Sequence, residues 1–204
     1  MRIIDYFCSQ FGKPRGYIGR LCCVAMNMFN QKLYRGVLNA IAVEDDANVL
    51  EIGYGNGYLI QQMCKRYRVI IHGVDISEDM KETATRRNQG AVSAGRVYLT
   101  IGDCCNLPYG DASFDCAVSV NSLYFWKDTL QGLKEVNRVL KQGACFCTSI
   151  YTKAWFERSK VDMKGYRFFE RDEYINLGLQ AGFSEVRFLD IKKGDSFVII
   201  FQKP

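Results

Sequence analysis

The sequence predicts an α/β protein: a mostly parallel sheet of seven strands, helices on its faces, and a helical cap ahead of it. Two patterns carry this prediction. From Asn48 onward, short apolar runs alternate with segments of helical period, and such alternation builds parallel sheets covered on both sides. The last two runs, "EVRFLDI" and "SFVIIFQ", are joined only by "KKGD". That link is too short for a helical crossover, so the two strands pair as an antiparallel hairpin and one of them runs against the rest of the sheet.

The elements follow in order. Between Tyr17 and Ala42, apolar residues such as Ile18, Leu21, Phe29, Leu33, Val37 and Ile41 recur at helical spacing, which predicts one or two helices. The preceding "FGKPRGYIG" is basic and turn-rich. "NVLEIG" reads as the first strand, and a helix runs from about Gly57 to Arg66. "RVIIHGVDI" is the second strand. "SEDMKETATRRNQG" is a helix with Ser77 as N-cap, Glu78 and Asp79 in its first turn and Gly90 after its last. "GRVYLTIGD" and "FDCAVSVNS" are the third and fourth strands, and residues 128–140 form a helix. "ACFCTSIY" is the fifth strand, residues 171–181 the last helix. No repeat or linker divides the chain, so one domain is expected: an N-terminal helical segment over 1–46 and a core over 47–204.

Composition narrows the function. Hydrophobic residues make up 48% and charged residues 24% of the 204, which is ordinary for a globular protein. No apolar run approaches the roughly 20 residues that span a bilayer. The opening "MRIIDYFCSQ" places Asp5 and Gln10 where a signal peptide needs apolar residues, so a cytoplasmic protein is expected. Nine cysteines stand at irregular spacings with no C-x-x-C pair, beside a single histidine. Zinc sites announce themselves by such pairs or by added histidines, so no metal is expected. The thiols read as small, reduced, mostly buried side chains, with binding of a soft metalloid substrate as the alternative. The whole formal charge of +5 resides in residues 1–43, where Arg2, Lys13, Arg15, Arg20, Lys32 and Arg35 face Asp5 alone. That asymmetry reads as a solvated helix face, or as a surface for nucleic acid or membrane.

The chemistry is concentrated at three strand ends. In "VLEIGYGNGYLI" glycine occupies every second position after the first strand: Gly53, Gly55 and Gly57. Bare backbone in that loop lets N–H groups approach a ligand that any Cβ would push away, and ligands of open parallel sheets sit beyond the carboxyl ends of the strands. The spacing is G-x-G-x-G, not the G-x-G-x-x-G of a dinucleotide turn, and no G-K-[ST] follows. Asp75 ends the second strand, where a carboxylate accepts hydrogen bonds from both ribose hydroxyls and repels a 2′-phosphate. Asp103, in "GDCCNLPY", ends the third strand and can accept from an exocyclic amine; taken alone it also reads as a turn residue. His72 lies within the second strand, away from the cleft, and reads as packing.

With these residues in place, the chain from about Ala47 to Phe201 resembles the class I S-adenosylmethionine-dependent methyltransferases, most closely the small bacterial group acting on small molecules. The stretches "VLEIGYGNG", "VDISEDM", "GDCCNLPYGDASFDCAVSVNSLYFW" and "VNRVLKQGA" fall in the family's order and spacing. The resemblance implies a Rossmann-like seven-stranded sheet of order 3-2-1-4-5-7-6 with strand seven antiparallel, and S-adenosylmethionine as cofactor. It implies that Glu51, Gly53, Tyr54, Gly55 and Gly57 surround the methionine part, that Asp75 holds the ribose, and that Ile76 and Met80 pack near the adenine. Asp103, with Cys104 beside it, would take the adenine amine, and Val120, Asn121 and Ser122 would line the sulfonium end. The place of an Asn/Asp-Pro-Pro-Tyr/Phe motif reads "NSLYFW", without proline, which disfavours adenine-N6 and glutamine methylation.

Methyl transfer needs orientation and exclusion of water more than acid–base chemistry. The polar group expected near the methyl is the Tyr124 hydroxyl, with Tyr17 and Tyr54 as other candidates. The substrate side is expected from the N-terminal helices and an insertion over about 152–170: Tyr17, Phe125, Trp126 and Trp155 would wall a pocket for a small apolar or aromatic acceptor. Three rivals remain at this stage. One is an NAD-dependent oxidoreductase, and another an RNA methyltransferase using the basic N-terminus. The third is a non-catalytic binding protein that has kept the pocket. Peripheral membrane contact through the helix at 17–42 is a variant of the main reading.

Overall fold

A computed structural model describes residues 27–204. Tyr17, the "FGKPRGYIG" segment and the N-terminal aromatics Tyr6, Phe7 and Phe11 lie outside the described residues, as do the basic residues 2–20. Helix α1 (Gln31–Ala40) precedes strand β1 (Asn48–Ile52). Helix α2 (Tyr58–Arg66), β2 (Ile70–Asp75), α3 (Glu78–Arg87), α4 (Gln89–Ser93) and β3 (Val97–Ile101) follow. Then come β4 (Phe114–Val120), a 3₁₀ turn (Leu123–Phe125), α5 (Thr129–Val139), β5 (Leu140–Tyr151) and α6 (Lys153–Arg158). Helix α7 (Arg171–Gln180), β6 (Glu185–Lys192) and β7 (Ser196–Gln202) close the chain.

One sheet of order β3-β2-β1-β4-β5-β7-β6 holds all seven strands. Only β7 is antiparallel to its neighbours, β5 and β6. The apolar runs are explained by burial on both faces. In β7, Phe197, Ile199 and Phe201 join the core under α5 and α7, and Val198 and Ile200 join the core under α1 and α2. At the free edge β6 half-buried and exposed positions mix, and its sequence interleaves charged and apolar residues accordingly.

Local signals set most of the helix ends. The Ser77 hydroxyl accepts the Met80 N–H at 3.4 Å at the start of α3, and the Asp128 carboxylate accepts the Gln131 N–H at 3.0 Å at the start of α5. Two boundaries differ from the sequence reading. Gly90 does not follow the helix that Ser77 opens; α3 stops at Arg87, and Gly90 sits inside the short α4. The Asn88 amide ends α3 by donating to the carbonyls of Ala84 and Gly57 at 2.9 and 3.0 Å, so a side chain does what glycine was expected to do. Strand β5 begins at Leu140, directly after α5, because Leu140 pairs with Phe114 before the strand reaches "ACFCTSIY". The segment after β5 forms α6 and then returns across the molecule, where the Arg167 N–H donates to the Tyr124 carbonyl at 3.0 Å.

Candidate functional site

Strand order brings the predicted residues side by side. The C-terminal ends of β3, β2, β1 and β4 are neighbours, and the chain reverses its winding direction between β1 and β4, where such sheets open a crevice. A cavity of about 250 Å³ lies there. Glu51, Gly53, Tyr54, Gly55, Asp75, Ile76, Met80, Asp103, Cys104, Val120, Asn121, Phe125 and Trp126, all expected from the sequence, line it.

The three glycines do three different things. All are left-handed, with φ of +72°, +49° and +71° at Gly53, Gly55 and Gly57. A Cβ on Gly53 would meet the Ser122 Cβ at 2.7 Å, so that glycine lets β1 and β4 end close together. A Cβ on Gly55 would meet nothing within 4 Å and would stand in the cavity, so Gly55 is the bare backbone a ligand needs. Gly57 does not line the cavity, which corrects its assignment to the ligand loop. Its Cβ would meet Asn88 Nδ2 at 2.6 Å and Ala84 Cβ at 2.8 Å, so it lets α2 pack on α3. Substitution should separate the roles. Gly57→Ala is expected to cost about 2–4 kcal/mol of stability from left-handed strain plus overpacking. Gly55→Ala should cost about 1 kcal/mol of stability and weaken S-adenosylhomocysteine binding about tenfold. Denaturant unfolding and isothermal titration on both variants read the two effects separately.

The acids are arranged around that loop. Asp75 accepts the Gly55 N–H at 2.8 Å on Oδ2 and the Ser77 N–H at 3.0 Å on Oδ1. A carboxylate has about four acceptor positions, so both oxygens keep capacity for a ligand. Burial raises the Asp75 pKa, opposed by those backbone donors. Glu51 is 3% exposed, and its Oε2 has no hydrogen-bond partner among the described residues. Burial, then the nearby Asp75 charge, pushes the Glu51 carboxyl well above the usual range. Asp103 is exposed at the rim and caps its own turn by accepting the Cys105 N–H at 2.9 Å.

Several expectations are corrected. Tyr124 is buried, and its hydroxyl accepts the Tyr151 N–H at 2.7 Å and donates to Asn121 Oδ1 at 2.6 Å. It does not line the cavity, and burial raises its pKa, so it serves as a strut and not as a base. The Tyr54 ring covers Gly73 and its hydroxyl donates to the Thr100 carbonyl at 3.4 Å; it lines the cavity, but burial keeps it protonated. Trp155 is turned away: it stacks on Tyr151 with ring centroids 3.8 Å apart and does not reach the cavity. His72 packs against Tyr98, Tyr109 and Phe114, as a strand-interior residue should. Trp126 Nε1 donates to Ser122 Oγ at 3.3 Å, which holds the indole at the cavity wall.

Sequence reasoning missed Asn27, Asn30, Tyr34 and Lys127, which also line the cavity. A signal existed: in "NMFNQKLY" the first three stand three and then four residues apart, on one helical stripe of an otherwise apolar and basic segment. Among the described residues, six cysteines are free thiols. Asp103, Cys104 and Cys105 converge to within 4.8 Å of one another at the cavity edge, the one such group of metal-ligating side chains among the described residues. No helix of the described residues is long and apolar enough to cross a membrane.

The bare backbone at Gly55, a strand-end acid with spare acceptor capacity and a buried carboxylate with one oxygen unpartnered among the described residues fit a nucleoside carrying a cationic tail. Such a ligand is S-adenosylmethionine, whose ammonium group would occupy the unpartnered Glu51 oxygen. The fold and this cavity define a class I methyltransferase arrangement. Comparison with known proteins agrees. Residues 50–148 match the family model described as a methyltransferase domain. The "Uncharacterized methyltransferase YdaC" of Bacillus subtilis (strain 168) is 36% identical over 115 residues, covering 56% of this chain and 61% of that protein. The "O-methyltransferase cnsE" of Penicillium expansum is 28% identical over 168 residues, 79% of this chain and 61% of that one. The chain thus spans about three-fifths of the length of both relatives. A chain from the complex between the Haloferax volcanii Trm112 methyltransferase activator and a methyltransferase superposes with a TM-score of 0.74 at 20% identity, covering 97% of each chain, and shares the fold. Residues 50–148 thus match a methyltransferase domain, and the sheet order and cavity around them are those of the class I S-adenosylmethionine-dependent methyltransferase fold.

Proposed function

We propose that the chain transfers a methyl group from S-adenosylmethionine to a small apolar or aromatic acceptor. The observation that carries this reading is the buried Glu51, which lines the same cavity as Gly55 and Asp75 and has one oxygen without a hydrogen-bond partner among the described residues. Bound S-adenosylmethionine supplies an electrophilic methyl carbon, and transfer is an in-line displacement at that carbon. The chain's own residues bind and orient. Asp75 accepts from the ribose hydroxyls, Asp103 from the adenine amine, and Glu51 from the ammonium group. Ile76, 57% exposed without ligand, offers an apolar surface for the base. Phe125 and Trp126 wall the acceptor side and exclude water. Neither Tyr124 nor Tyr54 removes a proton, so positioning carries the rate.

Isothermal titration with S-adenosylhomocysteine, with NAD as the control ligand, tests the reading. Micromolar binding of the first and none of the second is expected, as for a site whose loop reads G-x-G-x-G and lacks the dinucleotide spacing. No binding of S-adenosylhomocysteine at millimolar concentration would leave only a pocket without its use.

A further inference from the structure

The orientation of one buried amide at the cavity wall is set by a chain of hydrogen bonds that starts at a backbone group. The Tyr151 N–H can only donate, and it donates to the Tyr124 oxygen at 2.7 Å. The Tyr124 hydroxyl therefore spends its own proton elsewhere, on Asn121 Oδ1 at 2.6 Å. Asn121 is held for this by a left-handed backbone, φ +60°, which asparagine tolerates better than most residues. With its oxygen engaged, Asn121 turns its Nδ2 to Asn30, donating to Oδ1 at 3.4 Å. Each step fixes the next: Asn30 has its carbonyl occupied and its NH₂ group left over. Asn30 is 5% exposed and lines the cavity beside Phe125 and Trp126, and neither proton of that NH₂ finds an acceptor among the described residues. Lys127, at the same cavity, adds a third kind of N–H and no acceptor.

A donor pair at the cavity wall with no acceptor among the described residues is placed to meet an acceptor on a ligand. Resting on the methyltransferase reading, we propose that the acceptor is an oxygen compound, a phenol, enol or carboxylic acid on an apolar skeleton, and that Asn30 Nδ2 donates to its reacting or adjacent oxygen. An amine brings donors to the part of the wall where Asn30 Nδ2 and Lys127 are themselves donors, so that part disfavours nitrogen acceptors. Lys127 at the mouth favours the oxygen in its ionised form, its proton given up to solvent, so the acceptor needs no base of its own. The same donors could instead meet an oxygen of the cofactor's carboxylate, and the test separates the two sources.

The probes are a naphthol and the naphthylamine of the same skeleton, offered to the full chain saturated with S-adenosylhomocysteine. Their dissociation constants are read by ligand-observed NMR titration. Wild type is expected to bind the naphthol about tenfold or more tightly, the range a mispaired polar site imposes. Asn30→Asp replaces the donors by acceptors at constant shape and should reverse the order of the two probes, with S-adenosylhomocysteine affinity within about twofold of wild type. Equal binding of both probes by wild type, preference for the amine, or binding of neither overturns the proposal. A large loss of S-adenosylhomocysteine affinity in Asn30→Asp overturns it too, assigning the donors to the cofactor. Failure of wild type to bind S-adenosylhomocysteine at all would instead be failure of the methyltransferase reading.

Discussion

Asp75→Ala should remove S-adenosylhomocysteine binding, raising the dissociation constant about a hundredfold or more, while the protein still folds. Two losses add. The ribose hydroxyls lose a charged acceptor, and hydrogen bonds to charged groups contribute about 1.5–3 kcal/mol each. The glycine loop also loses its tie, because Asp75 holds the Gly55 N–H at 2.8 Å and the Ser77 N–H at 3.0 Å. A loop whose three glycines are all left-handed relaxes once that tie goes, so the bare backbone at Gly55 is no longer in place for the ligand. Asp75→Asn is the discriminating partner. It keeps one oxygen acceptor and about the same volume but loses the charge, and should fall between wild type and alanine. Titration of the three proteins gives the order; equal affinity in wild type and Asp75→Ala would sink the ribose assignment.

The parts of the site that could be read in advance are those where chemistry demands a residue type at a strand end. Glycine alternation after β1 and the acids closing β2 and β3 are such cases, because a ligand beyond the strand ends constrains both type and place. What could not be read depended on rotation. Tyr124, Phe125 and Trp126 are consecutive, but the first two fall on a 3₁₀ turn, where successive side chains point about 120° apart, and Trp126 follows it in extended backbone. Two face the cavity and Tyr124 turns into the core against Phe156, Tyr166 and Phe168. Spacing names such a cluster without saying which member faces the ligand. Trp155 failed for a related reason. It was grouped with the pocket as an aromatic in the insertion, but α6 turns it onto Tyr151. Asn27 and Asn30 were missed because a polar residue on a basic helix reads as solvated, and only the arrival of α1 over β4 and β5 makes it a wall. The fold was easier throughout, since burial on both faces writes itself into a strand such as β7 from Ser196 to Phe201.

Glu51→Gln is expected to move stability and binding in opposite directions. In the unliganded protein an ionised Glu51 is buried with one oxygen unpartnered and Asp75 nearby, so its pKa is raised well above the ordinary 4.5, first by burial and then by that charge. The native state therefore keeps the proton at pH values where the unfolded chain has lost it, binds more protons than the unfolded state there, and loses stability as pH rises. The window opens at the ordinary carboxylate value and extends upward through the native one. Below it both states are protonated and the dependence vanishes. Asp75 is shifted in the same direction, so it adds to the slope and leaves a remnant of it when Glu51 is replaced. Glutamine is neutral, nearly isosteric and able to donate toward Asp75, and should stabilise the unliganded protein at neutral pH by about 1–3 kcal/mol. The same change removes the partner of the cofactor's ammonium group and should weaken S-adenosylhomocysteine binding about tenfold or more. Denaturant unfolding between about pH 5 and 8 would show the wild-type slope and its flattening in the variant. A variant less stable than wild type without ligand, or one that binds as well, would mean that Glu51 is a structural acid whose partner is in the protein. A gain in stability with a loss of binding would mark it as a charge held in place for the ligand.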